Sequence, residues 1–117
     1  MTLRLVVYGT LRRGEPRAPF LGGAAFLGEL RLPGFNLLDL GEYPGAVPGA
    51  GAIVGEAYEL PGPALLSVLD DVEGARGNAP LFRRALVDAL GAPAWIYLYA
   101  RDAANAPRIP SGDWIHR

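Results

Sequence analysis

The chain has 117 residues, half of them apolar and a fifth charged, with 11 arginines, no lysine and 12 acids for a net charge of -1. That balance fits one folded domain, residues 1–117, able to bury roughly 65% of its unfolded surface, and fits neither disorder nor a membrane span. With no cysteine and one histidine, His116, the chain holds no disulfide and no thiolate metal site, and without a second chain's contribution no multi-histidine metal site and no serine hydrolase triad.

Leu3 to Tyr8, "LRLVVY", suits a buried first strand. Its apolar part is too short for a signal peptide and runs straight into a turn, so a cytoplasmic protein is expected. The next residues, Gly9 to Gly14, have phosphate-loop glycine spacing, but Glu15-Pro16 stand where that motif needs Lys and Ser/Thr. Arg12, Arg13 and Arg17 form a small basic cluster. The negative net charge argues against nucleic acid as a partner, and a solvated loop face is the expected role of these arginines.

Ala24 to Leu32 and Phe35 to Leu40 read as two strands separated by Pro33-Gly34, a pair that favours a turn. "GEYPGAVPGAGA", 41–52, reads as irregular, and Ile53 to Leu60 resumes a strand. Between Gly62 and Glu73, Leu65, Leu66, Leu69 and Val72 form a helical stripe, with Pro63 in the first turn and Gly74 as a C-terminal cap. Phe82 to Leu90 and Pro93 to Arg101 read as a hairpin about Gly91. In "AWIYLYA", Trp95, Tyr97 and Tyr99 alternate with Ala94, Ile96, Leu98 and Ala100, so both faces of that strand are covered. The expected class is α+β: a small mixed β-barrel of about six strands with one main helix and short flanking helices.

The most informative polar cluster is the helix end "LLSVLDDVEG". Asp70, Asp71 and Glu73 fall where the helix dipole is already negative, at a cost of about 0.3–1 kcal/mol per charge. A solvated acidic helix end bears that cost easily. If Glu73 instead turns inward against an apolar wall, desolvation, the dipole and Asp70 all raise its pKa, as a general base working near neutrality requires. The Tyr8-Gly9-Thr10 stretch has the same two readings. It is an ordinary strand-to-loop turn, or a cradle in which backbone N–H groups approach an anion because Gly9 has no Cβ.

Taken in order, "VYGTLRRGEP", "ELRLPGFNLLDLGEYPGAVPG", "VGEAYEL", "LLSVLDDVEG", "FRR", "AWIYLYA" and "IPSGDW" resemble the gamma-glutamylcyclotransferase-like family, nearest its short gamma-glutamylamine cyclotransferase branch. The resemblance spans nearly the whole chain. It implies a small β-barrel with flanking helices whose cavity accepts a gamma-glutamyl group, and an enzyme that cyclises that group to 5-oxoproline and releases the attached amine, without metal or cofactor. It implies that Tyr8, Gly9, Thr10 and Leu11 form the substrate loop, that Glu73 is the acid/base, and that Tyr97 lines the pocket. The partner so implied is a small-molecule gamma-glutamyl substrate; charge and composition point to no nucleic acid and no membrane.

The sequence departs from the family pattern at Phe82. Many members have Tyr-x-Arg where this chain reads Phe82, Arg83, Arg84. The missing hydroxyl leaves two expectations open: an enzyme with shifted substrate preference, or a non-catalytic small-molecule-binding or regulatory module on the same fold. The connection 75–81, "ARGNAPL", is longer than usual for the family and offers itself as a lid.

Overall fold

A computed structural model describes residues 3–117. Its elements in chain order are β1 (Leu3–Val7), a 3-10 turn (Ala18–Leu21), β2 (Ala25–Asp39), β3 (Pro44–Leu60), α1 (Pro63–Val72), β4 (Phe82–Ala89) and β5 (Ala92–Tyr99). The five strands form one sheet in the order β2-β3-β1-β5-β4, in which only β1 and β5 run parallel. A right-handed twist curls the sheet until Leu32 and Leu37 of edge strand β2 share a core with Ala89 of the opposite edge. No ladder joins β2 to β4, so the sheet is open and the expected six-strand barrel is corrected to five strands.

Two sequence boundaries are overturned for one reason. Pro33-Gly34 is no turn: β2 continues through it, with Pro33 opposite Ala52 and Phe35 opposite Pro48, and the mismatch is absorbed as a bulge. Residues 44–52, expected to be irregular, are the first half of β3. Their prolines and glycines are tolerated because β1 pairs β3 only from Glu56 to Leu60, which leaves the earlier stretch bonded on one side. Gly49 and Gly51 also lie against the Asn36 amide, whose Oδ1 accepts a 2.9 Å hydrogen bond from the Gly51 N–H. Tertiary pairing has overridden local turn preference.

Elsewhere the local signals hold. The helix ends as its sequence suggests: Gly74 takes φ +61°, its N–H reaches the Asp71 carbonyl at 3.2 Å, and the Ala75 N–H reaches the Asp70 carbonyl at 2.8 Å. The β4–β5 hairpin turns on Leu90 and Gly91, both at positive φ, which matches the twist of the strands it joins.

The sheet separates two cores. Val6, Tyr8, Ala94 and Ile96 point to one face, which the returning C-terminal segment covers with Ile109 and Trp114. Leu5, Val7, Leu11 and Tyr97 point to the other, against Leu66 and Leu69 of α1. Burying each of those two leucines is worth roughly 1.5–3 kcal/mol, enough to dock a ten-residue helix and bring its C-terminus over the end of β1.

Candidate active site

β1 is the central strand, and the chain leaves it at Tyr8 directly beside the end of β5. The turn that follows is closed by the Arg12 N–H donating to the Gly9 carbonyl at 3.0 Å and is tied down by the Arg17 N–H on the Thr10 carbonyl at 2.8 Å. Among the described residues, the N–H groups of Gly9, Thr10 and Leu11 donate to no backbone or side-chain acceptor. Three successive donors are therefore unspent at the strand end.

A cavity opens over this turn. Val6 to Leu11, Tyr43, Pro44, Glu73, Phe82 and Tyr97 line it, and it measures about 30 Å³. Each residue singled out from the sequence (Tyr8, Gly9, Thr10, Leu11, Glu73, Phe82 and Tyr97) is on that wall. None of residues 75–81 is.

Glu73 caps the C-terminus of α1, and its carboxylate accepts no hydrogen bond and pairs with no cation among the described residues. Burial pushes its pKa from 4.5 up to about 7, against a smaller downward pull from Arg17. Asp70 does not contribute in the way expected from its spacing. It faces away from Glu73's role, accepting the Tyr97 phenol at Oδ1 (2.7 Å) and pairing with the Arg84 Nε at 3.0 Å. Asp71 pairs with Arg76 on the surface. Of the three carboxylates at the helix end, only Glu73 is left without a partner.

The two tyrosines are walls rather than donors. Tyr8 donates to the Tyr97 carbonyl at 2.6 Å and accepts from the Ala46 N–H at 3.0 Å, so its hydroxyl is spent in joining β1, β3 and β5. The Tyr97 hydroxyl is spent on Asp70. Burial pushes both phenols far above their ordinary pKa, and they stay protonated. Phe82 is buried between Tyr43 and Tyr99, ring centroids 5.9 and 5.6 Å away, and presents only an apolar edge.

Gly9 needs a different explanation from the one its sequence suggests. A Cβ there would lie 2.6 Å from the Pro44 ring, so the missing side chain makes room for β3 rather than for a ligand. Tyr43 and Pro44 themselves escape sequence reading, because only the β2–β3 ladder brings the 40–44 corner to the end of β1.

Of the three clustered arginines, Arg12 is buried, not solvated. It binds Glu56 Oε2 at 3.0 Å and Asp113 Oδ1 at 2.8 Å, with Glu29 at 3.5 Å. Arg13 lies over the Phe26 ring, 3.8 Å from its centroid. Among the described residues no group of three or more His, Cys, Asp or Glu side chains is placed to hold a metal ion.

The family model for "Gamma-glutamyl cyclotransferase, AIG2-like" matches residues 5–116. The chain belongs to this family. It is 36% identical to the gamma-glutamylcyclotransferase family protein YtfP of Escherichia coli K12 over 115 residues, 98% of each chain. Its fold is similar to the crystal structure of protein PH0828 from Pyrococcus horikoshii, with a TM-score of 0.84 and 32% identity over 97% of this chain and 91% of that one. It is similar too to an AIG2-like protein from mouse, with a TM-score of 0.76 and 26% identity over 97% and 94% of the two chains. Membership supports a gamma-glutamylcyclotransferase-type activity in general.

Proposed function

We propose that this protein cyclises a gamma-glutamyl conjugate to 5-oxoproline and releases the attached amine, with Glu73 as acid and base. The observation that carries this reading is the pairing of one unpartnered, half-buried carboxylate with three unspent backbone donors across a single cavity.

The substrate supplies its own nucleophile. Its α-ammonium loses a proton to Glu73, and the freed amine nitrogen attacks the side-chain carbonyl carbon. A C–N bond forms, closing a five-membered ring, and the carbonyl oxygen becomes an oxyanion that accepts hydrogen bonds from the N–H groups of the Gly9–Leu11 turn. As the intermediate collapses, the bond to the departing nitrogen breaks and that nitrogen takes the first proton back from Glu73; the ring nitrogen, still carrying two hydrogens, gives its second proton to the freed carboxylate, which passes it on, so the amine leaves as an ammonium and the lactam is neutral. Atoms and charge balance with no enzyme nucleophile. A carboxyl titrating near 7 suits each transfer. The Thr10 hydroxyl, which makes no hydrogen bond among the described residues, is free to donate to the substrate. Tyr8, Leu11, Phe82 and Tyr97 shape the walls, so the hydroxyl that Phe82 lacks is not needed for any proton transfer.

A cavity of 30 Å³ holds about one water molecule. Only the reacting end of the substrate fits there, and the rest of the conjugate lies at the mouth beside Thr10 and Tyr43.

Purified protein incubated with a panel of gamma-glutamyl amines and dipeptides tests the proposal by 5-oxoproline release. Product that vanishes in Glu73→Gln supports it. Ligand-dependent thermal stabilisation without product from any panel member overturns it in favour of a binding module.

A further inference from the structure

We propose that Arg17 forms an outer subsite that binds a carboxylate on the leaving group, so that gamma-glutamyl conjugates of α-amino acids are preferred over those of simple amines. The inference rests on the cyclotransferase reading above and adds to it the chemistry of the departing half.

Three observations lead there. A second cavity of about 250 Å³ is lined by Thr10, Pro16, Arg17, Glu42 and Tyr43. It shares Thr10 and Tyr43 with the cavity holding Glu73, so the two are continuous in their walls. The inner space is too small for a whole conjugate, and a group leaving the reacting carbon past Thr10 enters the outer one.

Arg17 is the cation of that outer cavity. Its backbone is fixed by the bond to the Thr10 carbonyl, and its side chain is half-buried and makes no ion pair or hydrogen bond among the described residues. The two preceding arginines differ: Arg12 is consumed by carboxylates and Arg13 by an aromatic ring. Arg17 is also close enough to Glu73 for its charge to oppose the effect of burial there. A guanidinium offers paired N–H donors to a planar carboxylate, a match an alkylamine leaving group cannot use. Glu42 on the same wall is exposed to solvent, where screening reduces its repulsion of an incoming carboxylate.

Gamma-glutamyl-alanine and gamma-glutamyl-ethylamine differ only by the carboxylate in question. The wild type is expected to show about a tenfold to hundredfold higher kcat/KM for the alanine conjugate, mostly through KM. Arg17→Gln removes that preference and Arg17→Lys retains part of it; the ratio of the two conjugates within each variant is the readout, because the Arg17 charge also acts on Glu73 and shifts turnover of both together. Titration of both conjugates into Glu73→Gln and Glu73→Gln/Arg17→Gln by calorimetry reads the same preference without turnover. Equal kcat/KM for the two conjugates, or a preference that survives Arg17→Gln, overturns the subsite and leaves the cyclotransferase reading standing. An Arg17-dependent binding preference with no 5-oxoproline overturns the cyclotransferase reading and keeps the subsite. No product and no binding overturns both.

Discussion

The ring of Pro44 occupies the space beside Gly9, where a Cβ would stand 2.6 Å from Pro44 Cγ and 2.7 Å from Cδ. A proline ring cannot rotate away as a long flexible side chain can. The contact locks the corner between β2 and β3 onto the turn that carries the three free N–H groups.

Gly9→Ala is therefore an overpacking substitution, expected to cost about 1–3 kcal/mol. Urea unfolding should show a lower midpoint at unchanged slope. Pro44→Ala in the same chain should return part of the loss, since the two sites are in contact and their effects do not add. A Gly9→Ala protein as stable as the parent would show that Pro44 yields freely.

The Glu73 carboxyl makes stability depend on pH in the direction opposite to most acids. Its folded pKa, about 7, lies above the unfolded 4.5, so the folded state binds the proton more tightly. Stability is then greatest below about pH 4.5 as far as this group is concerned, falls as pH rises from 4.5 to 7, and levels off above that. Glu73→Gln removes the dependence. Its gain over the parent should grow through that window to about 2–3 kcal/mol at pH 8, measured by denaturation at a series of pH values. Activity runs the other way, because a base must be ionised: kcat/KM should rise with pH through an apparent pKa near 7 and fall at least about a hundredfold in Glu73→Gln at pH 8.

Asp70 joins α1 to both strands of the hairpin, through the Tyr97 phenol on β5 and Arg84 on β4. Asp70→Ala strands a buried phenol and breaks the ion pair, for an expected loss of about 2–4 kcal/mol in urea unfolding. Tyr97→Phe leaves Asp70 its Arg84 partner and should cost about 1–2 kcal/mol. Because α1 carries Glu73, the Asp70 variant should also lower kcat more than it raises KM. A Tyr97→Phe protein less stable than the Asp70→Ala protein would place the main anchor elsewhere.

How much of this was legible depended on whether the deciding contact was local. The helix, its glycine stop and the hairpin about Gly91 are set by neighbours a few residues apart, and their residue types announce them. So does the alternation in β5, whose two faces do pack into two different cores. Pro33-Gly34 and the glycine-rich start of β3 misled because their pairing partners are up to some twenty residues away and only the ladder shows them. The site divides in the same way. Glu73 stood out as an acid at the wrong end of a helix dipole, whereas Tyr43 and Pro44 reach its cavity, and Arg17 the neighbouring one, through packing that no short spacing encodes. The expectation for Arg12 failed for the opposite reason. A cluster of arginines in a turn reads as solvated, yet its carboxylate partners lie 44 and 101 residues further on.

That buried arginine supports the last prediction. Glu56 is almost inaccessible and accepts from Arg12 Nε, from the Arg13 N–H at 2.9 Å and from the Tyr58 hydroxyl at 3.2 Å, so removing the guanidinium leaves a buried carboxylate short of its counter-charge. Arg12→Met should cost about 3–5 kcal/mol. Arg12→Lys restores a charge but not the fork that reaches Glu56 and Asp113 together, and should recover only part. The contact with Glu29 is long and that carboxylate is mostly exposed, so Glu29→Gln should change stability by less than about 0.5 kcal/mol. At Asp113 burial raises the carboxyl pKa, but the hydrogen bond and charge of Arg12 together with the Ile115 and His116 N–H groups outweigh it and hold the group below its ordinary value. The contribution of Asp113 is therefore present above its unfolded pKa and is lost as pH falls through the folded one, and Asp113→Asn should abolish it. Unfolding curves for the four variants at pH 7 give the order Arg12→Met, Arg12→Lys, Asp113→Asn, Glu29→Gln from least to most stable. If Arg12→Met matched the parent, the C-terminal segment would be held without this cluster, and the turn that carries the free N–H groups would owe its position to Pro44, Leu11 and its own backbone hydrogen bonds.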